Sequence, residues 1–443
     1  MRRWEQARRQ DGGRPASQQG MRQHNLALVM GTVAAHGPVS RAAVAGRTGL
    51  TRTAVSSLVD ELLAGGLLTE LGPAASGRVG RPGTALAVSE DGPAGLGLEV
   101  GVEHLGACVT DLRGEVRVWS RAESPNAALG PAGVMAALSE LADDATRRAA
   151  ELGLRPVAAV VAVPGLVGDV PGTVARAPNL GWHDVPVAGL WPGELPLRVE
   201  NEANLGALAE LWAHPVADDF VHVSAESGIG AALVVGGRLF SGARGLAGEL
   251  GHMPVHPDGF PCSCGARGCL EQYAGKAAVL RAAGLPLPAA IGAAPVGAAP
   301  VGAAPVGAAP AGAAPAGAAP AGAAPVGAAP AGADVVAALA ELARAGETPV
   351  VRALDGAGTA LGTALAGAVN LLDPAAVVLG GAYAELGEWL LPAMRRELAA
   401  RVTVRPWDPE ALTVSELGRR GPLLGAALAT VRGILDDPAA LWS

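Results

Sequence analysis

The sequence lacks any run of about 18 apolar residues free of charge, proline and glycine, the length that a membrane-spanning helix needs. Its basic N-terminus is not followed by the apolar segment of a secretory signal. It has only four cysteines in 443 residues, and three of them are clustered, which does not suit a secreted disulfide framework. These absences favour a protein of the reducing cytoplasm with no membrane partner.

Acidic residues are also missing from residues 21–59. Residues 1–90 carry 11 arginines and 6 carboxylates, whereas residues 91–443 carry 22 basic and 35 acidic side chains. A basic region that avoids carboxylates is typical of a surface that contacts phosphates. DNA is therefore an expected partner of the N-terminal part, and the acidic remainder is not expected to touch it.

The length exceeds that of one ordinary domain, and the sequence pattern divides the chain into three parts. Residues 1–20 show no periodicity and are predicted to be disordered, which makes Met21 an alternative start to Met1. Residues 21–90 combine helical patterns with two short β-rich runs. From residue 95 to 443, β-rich runs alternate with Ala- and Leu-rich helical stretches, a pattern that predicts an α/β domain.

A low-complexity insert interrupts this α/β domain at about residues 292–332, where the pentad GAAPV or GAAPA is repeated. Proline in every pentad blocks a helix, and alanine and glycine supply no core. We expect a disordered or polyproline-like spacer in a surface loop, with a functional tether as the alternative.

The segment 38–64 carries the pattern of a helix-turn-helix. Ser40 is predicted to cap one short helix and Thr51 a second, with TGL forming the turn between them. In the second helix, apolar residues recur at i, i+3, i+4 and i+7 and face a core, which leaves its N-terminal half polar. An ordinary helical hairpin is the alternative, but the lack of carboxylates favours DNA contact. The predicted core positions are Val55, Leu58, Val59 and Leu62.

Two predicted strands, LLTEL and TALAV, follow these helices and flank the loop GPAASGRVGRPG. An arginine–proline step between glycines is narrow enough for a minor groove, whose negative potential attracts arginine. The whole segment 21–90 therefore predicts a winged helix-turn-helix that binds operator DNA as a homodimer or homotetramer. The predicted DNA-binding residues are Arg41, Arg52, Thr53, Ser56, Ser57, Arg78 and Arg81.

Three of the four cysteines fall within the eight residues 262–269, and His252 precedes the first by ten residues. Three thiolates and one imidazole complete a tetrahedral zinc site with no open position, which indicates a structural metal. On spacing alone, His256 could replace His252. The loop is rich in glycine and proline and offers no apolar helix that would bury incidental cysteines. The candidate ligands are Cys262, Cys264 and Cys269 with His252 or His256.

The stretch GELGHMPV…CSCGARGCLEQY resembles the signature of the ROK family, named for repressors, open reading frames and kinases. The resemblance covers nearly all of the chain after residue 21, through segments such as VAVPGLV, APNLGW, ENEANLGALAELW and DPAAVVLGGA. It implies an actin-like (ribonuclease H-like), two-lobed sugar-binding domain with a zinc loop over residues 95–443. The N-terminal segment RQHNLALV…ELLAGGLL resembles the winged heads of the family's repressors, and the pentad insert has no counterpart.

The resemblance also implies which residues form the sites. Carboxylates accept hydrogen bonds strongly from sugar hydroxyls, and a histidine can bind metal through one nitrogen and donate through the other. Zinc would hold the neighbouring carboxylates in place. The implied zinc ligands are His252, Cys262, Cys264 and Cys269. The implied sugar-binding residues are Asn201, Glu202, Glu249, His252 and Glu271.

Three departures from the family's kinases favour a sensor without a catalytic residue. Glu202 stands where the kinases have the aspartate base, so its carboxylate lies one methylene further out. The first phosphate loop is EVGVE, in which Val102 and Glu103 replace glycine and threonine. The second, ESGIGAA, has also lost the kinase pattern.

We therefore expect a repressor of carbohydrate genes that a small sugar releases from its operator, with zinc as a structural cofactor. A ROK sugar kinase that carries a DNA-binding head is the alternative. The sequence leaves xylose, glucose and N-acetylated sugars open as effectors.

Overall fold

The computed structural model forms a mainly helical N-terminal part, called the head below, followed by two α/β lobes. Residues 1–17, the loop with Arg78 and Arg81, and the pentad insert lie outside its described part. Within that part, no helix combines the length and apolarity needed to cross a membrane. The described residues are 18–73, 84–168, 170–226, 228–287 and 334–442.

Three helices open the head. The first begins at Gln18, three residues before the boundary expected at residue 21. Glutamine is a good helix former and no proline follows until Pro38, so the prediction of disorder is wrong for residues 18–20. The helices are α1 (Gln18–His36), α2 (Arg41–Thr48) and α3 (Arg52–Ala64).

Both predicted caps of the head are confirmed. Ser40 accepts a hydrogen bond from the N–H of Ala43 at the start of α2. Thr51 accepts one from the N–H of Ala54 at the start of α3. The four predicted core positions of α3 are buried and pack with a stripe of α1. That stripe consists of Leu26, Val29, Met30 and Val33.

A small antiparallel sheet completes the head. Its strands are β1 (Val39–Ser40), β2 (Leu68–Pro73) and β3 (Thr84–Val88), in the order β1–β3–β2. Strands β2 and β3 correspond to the two predicted β-rich runs, and Leu68 pairs with Val88.

The first lobe is built on a five-stranded sheet. Its strands are β4 (Gly92–Val100), β5 (His104–Thr110), β6 (Val116–Glu123), β7 (Leu154–Val163) and β11 (Leu197–Asn201). A small sheet precedes β11 and consists of β8 (Leu166–Val167), β9 (Val174–Ala177) and β10 (Trp182–Val185). The large sheet has the order β11–β7–β4–β5–β6, with β11, β7 and β4 parallel. Its helices are α4 (Asn126–Glu151) and α5 (Glu202–Ala213).

The second lobe has a five-stranded sheet of its own. The strands are β12 (Phe220–Ala225), β13 (Ile229–Val235), β14 (Arg238–Leu239), β15 (Ala376–Gly381) and β16 (Leu412–Val414). Their order is β14–β13–β12–β15–β16, and β12, β15 and β16 are parallel. Its helices are α6 (Glu271–Ala274), α7 (Lys276–Ala282), α8 (Val335–Arg344), α9 (Thr348–Leu372), α10 (Ala382–Glu385) and α11 (Gly387–Arg401).

Helix α5 and the last helix, α12 (Gly421–Asp436), lie between the two sheets. Leu205 of α5 and Ala426 of α12 share one core with Val160 of β7 and Val378 of β15. The residues that follow the parallel strands of both lobes consequently border one cleft, the usual place for a ligand in open α/β sheets.

Candidate functional site

The three clustered cysteines and His252 converge in the loop between β14 and α6. Their ligand atoms all lie within 4.8 Å of one another. The Sγ atoms of Cys264 and Cys269 are 3.6 Å apart, and Sγ of Cys262 is 3.8 Å from Nδ1 of His252. Sulfurs bound to one zinc at about 2.3 Å lie about 3.8 Å apart, so this arrangement fits a tetrahedral zinc ion.

The titration of the cluster also fits a cation. Burial, together with the adjacent thiols of Cys264 and Cys262, raises the pKa of Cys269 to about 12. With so high a pKa, Cys269 would become a thiolate at neutral pH only if a cation were bound to its sulfur. His256 is outside the group, since its ring packs on Tyr273 with centroids 4.6 Å apart. The geometry therefore favours His252 as the fourth ligand.

The same loop carries the two carboxylates assigned to a sugar. Nε2 of His252 lies 3.8 Å from Oε2 of Glu249, so one ring nitrogen faces this carboxylate and the other faces Cys262. Glu271 begins α6, and its Oε2 accepts a hydrogen bond of 3.2 Å from the N–H of Ile229. Burial raises the pKa of Glu249, and His252 opposes that shift. A polyol in this place would meet both acceptors and a donor.

Asn201 lies on the other side of the cleft, where it is the last residue of β11 and the N-cap of α5. Its Oδ1 accepts hydrogen bonds from the N–H groups of Ala203 and Asn204, at 2.8 and 3.1 Å. Its Nδ2 donates to the carbonyl of Gly165 at 2.8 Å. Both lone pairs of the amide oxygen thus accept a hydrogen bond, and one N–H of the amide can still donate to a ligand. The side chain also fixes the position of α5 relative to the end of β7.

Asn179 is a further polar candidate, which the motif APNLGW contains but did not single out. It is exposed in the turn between β9 and β10. Its Nδ2 lies 3.8 Å from the point where a Cβ on residue 228 would be, and Oε2 of Glu271 lies 2.6 Å from that point. Asn179 of the first lobe and Glu271 of the second therefore approach the same position.

A histidine ring covers the glycine of the first predicted phosphate loop. The imidazole of His104 covers Gly101, where a Cβ would overlap the ring. Nε2 of His104 lies 3.4 Å from Oε1 of Glu99. A glycine in such a loop lets phosphate approach the backbone closely, and here a side chain occupies that approach.

Three carboxylates, Glu99, Glu202 and Glu226, line the neighbouring part of the cleft. Burial, followed by the charges of Glu99 and Glu226, raises the pKa of Glu202 to about 8. Glu202 is then mostly protonated at neutral pH, whereas a general base must be ionised. Burial raises the pKa of Glu226 as well.

Arg419 forms ion pairs with carboxylates on this side of the cleft. Its Nε lies 3.3 Å from Oε1 of Glu226 and 2.8 Å from Oε1 of Glu385. Its Nη1 lies 2.7 Å from Oδ2 of Asp334. One guanidinium shared by three carboxylates does not offer a free positive charge to a phosphate. Sequence spacing gave no signal for this network, because its four members are far apart along the chain.

The head presents most of the predicted DNA-contacting side chains of α3 to solvent. These positions follow the cap Thr51, and Ser56 among them is half-buried. The exposed ones are Arg52, Thr53 and Ser57.

Arg41 differs from the other predicted DNA-binding residues. Its Nη1 lies 2.6 Å from Oδ1 of Asp60, and its Nη2 lies 3.1 Å from Oε1 of Glu70. The guanidinium therefore links α2 to α3 and β2 within the head. Both carboxylates come after residues 21–59, the stretch that has no acidic residue. Arg78 and Arg81 belong to the loop outside the described residues.

Known proteins are similar to this chain over most of its length. The ROK family profile matches residues 95–432. The xylose repressor of Bacillus subtilis (strain 168) is 26% identical over 427 residues, which is 95% of this chain and 98% of that protein. A ROK family transcriptional regulator, solved as a homologue of the E. coli MLC protein, shares the fold at a TM-score of 0.71 and 22% identity, over 95% of this chain and 98% of its own.

A kinase is similar over the two lobes. The ROK family glucokinase from Streptomyces griseus, solved with glucose and AMPPNP, is 26% identical with a TM-score of 0.57. The similarity covers 76% of this chain and 98% of the kinase. The two-lobed fold is thus found in both a regulator and an enzyme, and the residues of the cleft must distinguish them.

Proposed function

The chain belongs to the ROK family, and from this premise we propose that it is a sugar-responsive transcriptional repressor without kinase activity. The observation that carries the proposal is the division of the cleft. The half proposed to bind sugar contains Asn201, Glu249 and Glu271, while the half that would face phosphates contains His104 and Glu202.

The head is proposed to act as a winged helix-turn-helix. Support comes from two capped helices, α2 and α3, followed by an antiparallel pair of strands. The N-terminal half of α3 would enter the major groove, and the loop between β2 and β3 would contact the neighbouring minor groove. Such heads read two half-sites about one helical turn apart, so we propose a homodimer or homotetramer acting in the cytoplasm, where the DNA is.

The zinc loop is proposed to be structural. His252, Cys262, Cys264 and Cys269 would hold the ion, which would supply only a fixed geometry because no coordination position is left open. The loop would then keep Glu249 and Glu271 at the separation that a sugar requires. His252 would orient Glu249 through its second ring nitrogen.

The proposed mechanism is thermodynamic linkage. A sugar bound between the lobes favours one lobe arrangement, and DNA favours one arrangement of the heads. If the two arrangements differ, sugar weakens DNA binding and DNA weakens sugar binding by the same factor, commonly about 5- to 150-fold. A similar repressor is named for xylose, so D-xylose is the first effector to test.

A ROK sugar kinase with a DNA-binding head is the second candidate. The similarity to a glucokinase solved with a nucleotide analogue favours it. It would require Glu202 to ionise and the His104 ring to leave Gly101 before a nucleotide could bind.

The test is a reciprocal titration. Labelled DNA, selected by the protein from a random pool, is titrated by fluorescence anisotropy with and without D-xylose, D-glucose or N-acetyl-D-glucosamine. Sugar binding is then measured by calorimetry with and without the same DNA. Equal factors in both directions are expected for one sugar. Tight DNA binding that none of the three sugars changes would contradict the proposal.

A further inference from the structure

One continuous segment of the chain, residues 419–442, contacts both the cleft and the head. It comprises Arg419 and Arg420, helix α12, and a short turn that ends at Trp442.

The first end of this segment lies at the cleft. Arg419 is bound by Glu226, which follows β12, and by Asp334 and Glu385 of the second lobe. The guanidinium of the next residue, Arg420, stacks 4.9 Å from the ring centroid of Trp119 in the first lobe. Two adjacent residues therefore connect the segment to different lobes, so a change in the lobe arrangement must act on it.

The middle of the segment is in backbone contact with α5. A Cβ on Gly425 would overlap the carbonyl of Leu205, so no side chain separates the two helices. Thr430 donates a hydrogen bond of 3.3 Å to the carbonyl of Leu96 in β4. Helices packed this closely move as a unit, because no soft layer between them can absorb a shift. Helix α5 itself begins beside the sugar site, where Asn201 caps it.

The last end of the segment is part of the head. Val431, Ile434 and Leu435 are buried in the same core as the apolar stripes of α1 and α3. The ring of Trp442 lies against Gly65, directly after α3, where a Cβ would overlap the indole. The C-terminal end of α3 thus rests on the C-terminal segment of the lobes.

A space remains beside this buried contact. A crevice of about 820 Å³ lies between α1 and β2 of the head and α5 and α12, next to the place where α1 packs on α12. Two leucines on its walls, Leu28 and Leu71, are exposed to 37% and 53%. A space of this size gives the head room to move relative to the lobes. The residues that line it include Leu28, Gly31, Leu71, Trp212 and Arg432.

We propose that residues 419–442 transmit the state of the cleft to α3, and that the head moves about the Trp442–Gly65 contact into the crevice. The inference rests on the proposed function, since it names the route by which sugar and DNA affect each other. Trp442 is accordingly a positioning residue for α3. Gly31 lines the crevice into which the head would move.

Two variants of the full chain test this route from opposite sides. Trp442→Ala removes the contact under α3. Gly31→Trp places a large side chain in the crevice from an exposed position of α1, where a Cβ meets no atom within 4 Å; its far-UV circular dichroism should match that of the parent chain. Trp389→Ala is the matched control, because Trp389 packs in the core of the second lobe, away from the segment.

The readout is the factor by which sugar changes DNA affinity, measured with the selected DNA and the three sugars named above. We expect this factor to fall below about 3-fold in both variants, from the roughly 5- to 150-fold range of the parent chain, while the sugar Kd stays within about 2-fold. The control should keep the parent factor. Parent-like factors in both Trp442→Ala and Gly31→Trp would overturn the inference. A factor of one in the parent chain would instead contradict the proposed function.

Discussion

Individual side chains give the two halves of the cleft different chemistry. His104 covers Gly101, and Glu202 is kept mostly protonated by burial beside Glu99 and Glu226. On the other half, Glu249 and Glu271 stay available to hydroxyl groups next to the thiol cluster. In the proposed function, a phosphate and a sugar would therefore meet different environments in the two halves of the cleft.

Removing one thiol should release the metal and the sugar response together. Cys264→Ser leaves three ligands, which lowers zinc affinity and frees the loop that positions Glu249 and Glu271. We expect zinc content to fall from about one per chain to a small fraction of that, and the thermal shift caused by the sugar to disappear.

The matched control for this experiment is Cys108→Ser. Cys108 is buried in the sheet of the first lobe and is not one of the grouped ligands. This variant should keep its zinc and its response. A Cys264→Ser protein that lacks zinc and still binds sugar normally would show that the metal does not support the site.

His222 should make stability depend on pH. It is buried on β12 between Gly206 and Gly380, and burial lowers its pKa from 6.5 to about 4. The unfolded chain takes up a proton as the pH falls through about 6.5, whereas the folded chain stays neutral until about pH 4. The free energy of unfolding should therefore fall with pH below 6.5, by up to about 3 kcal/mol near pH 4.

Urea unfolding at pH 7.5, 6 and 5 measures this effect. His222→Gln should show a weaker loss between pH 7.5 and 5 than the parent chain. His183→Gln removes an exposed histidine and should show the full loss. Equal pH dependence in the His222→Gln protein and the parent chain would rule out His222 as its source.

Local signals predicted local features well. The caps Ser40 and Thr51, the buried stripe of α3 and the grouping of three cysteines depend on neighbours within a few residues. His104 over Gly101 and the ion pairs of Arg419 depend on which distant segments the fold brings together, and spacing cannot reveal them. The ion pairs of Arg41, one of the predicted DNA-binding residues, are hidden from spacing for the same reason, since Glu70 reaches it from β2.

At the scale of elements, α3 is the part of the head that can be tested most directly. Arg52→Ala removes an exposed guanidinium from its first turn. We expect DNA binding to weaken by about 1–3 kcal/mol if Arg52 contacts a base edge, or the salt dependence to lose about one charge if it contacts phosphate. The sugar Kd should not change.

Arg148→Ala removes an exposed arginine from α4 of the first lobe and serves as the control, with DNA affinity preserved. Anisotropy titrations at several salt concentrations provide the data. Loss of sugar binding in the Arg52→Ala protein would contradict the separation of head and cleft.

The pattern of strands and helices indicated an α/β domain, but it did not show that α5 and α12 are shared between the lobes. Both helices are rich in alanine, leucine and glycine, so their apolar faces give no preference for one sheet over the other. Their position is decided by two sheets that exist only in the folded chain. The route proposed through residues 419–442 follows from that shared position.

The whole molecule joins a basic head to an acidic, two-lobed body. An acidic body disfavours contact with DNA, so in the proposed function DNA would contact the head alone, and the cleft would respond to a sugar without competing for the same surface. Similarity to both a repressor and a glucokinase is expected if one fold carries either function, and we propose that the phosphate side of the cleft makes the difference.

The most direct test of a sugar sensor that is not a kinase is a thermal-shift panel of free sugars and sugar phosphates, each with and without Mg-ATP. A ligand at a hundred times its Kd adds about 2.7 kcal/mol to the free energy of unfolding, which is readily detected. We predict that one free sugar raises the melting temperature, that Mg-ATP adds nothing to it, and that no ADP forms. A further shift with Mg-ATP, accompanied by ADP that accumulates only with that sugar, would show that Glu202 works as a base and would contradict the account.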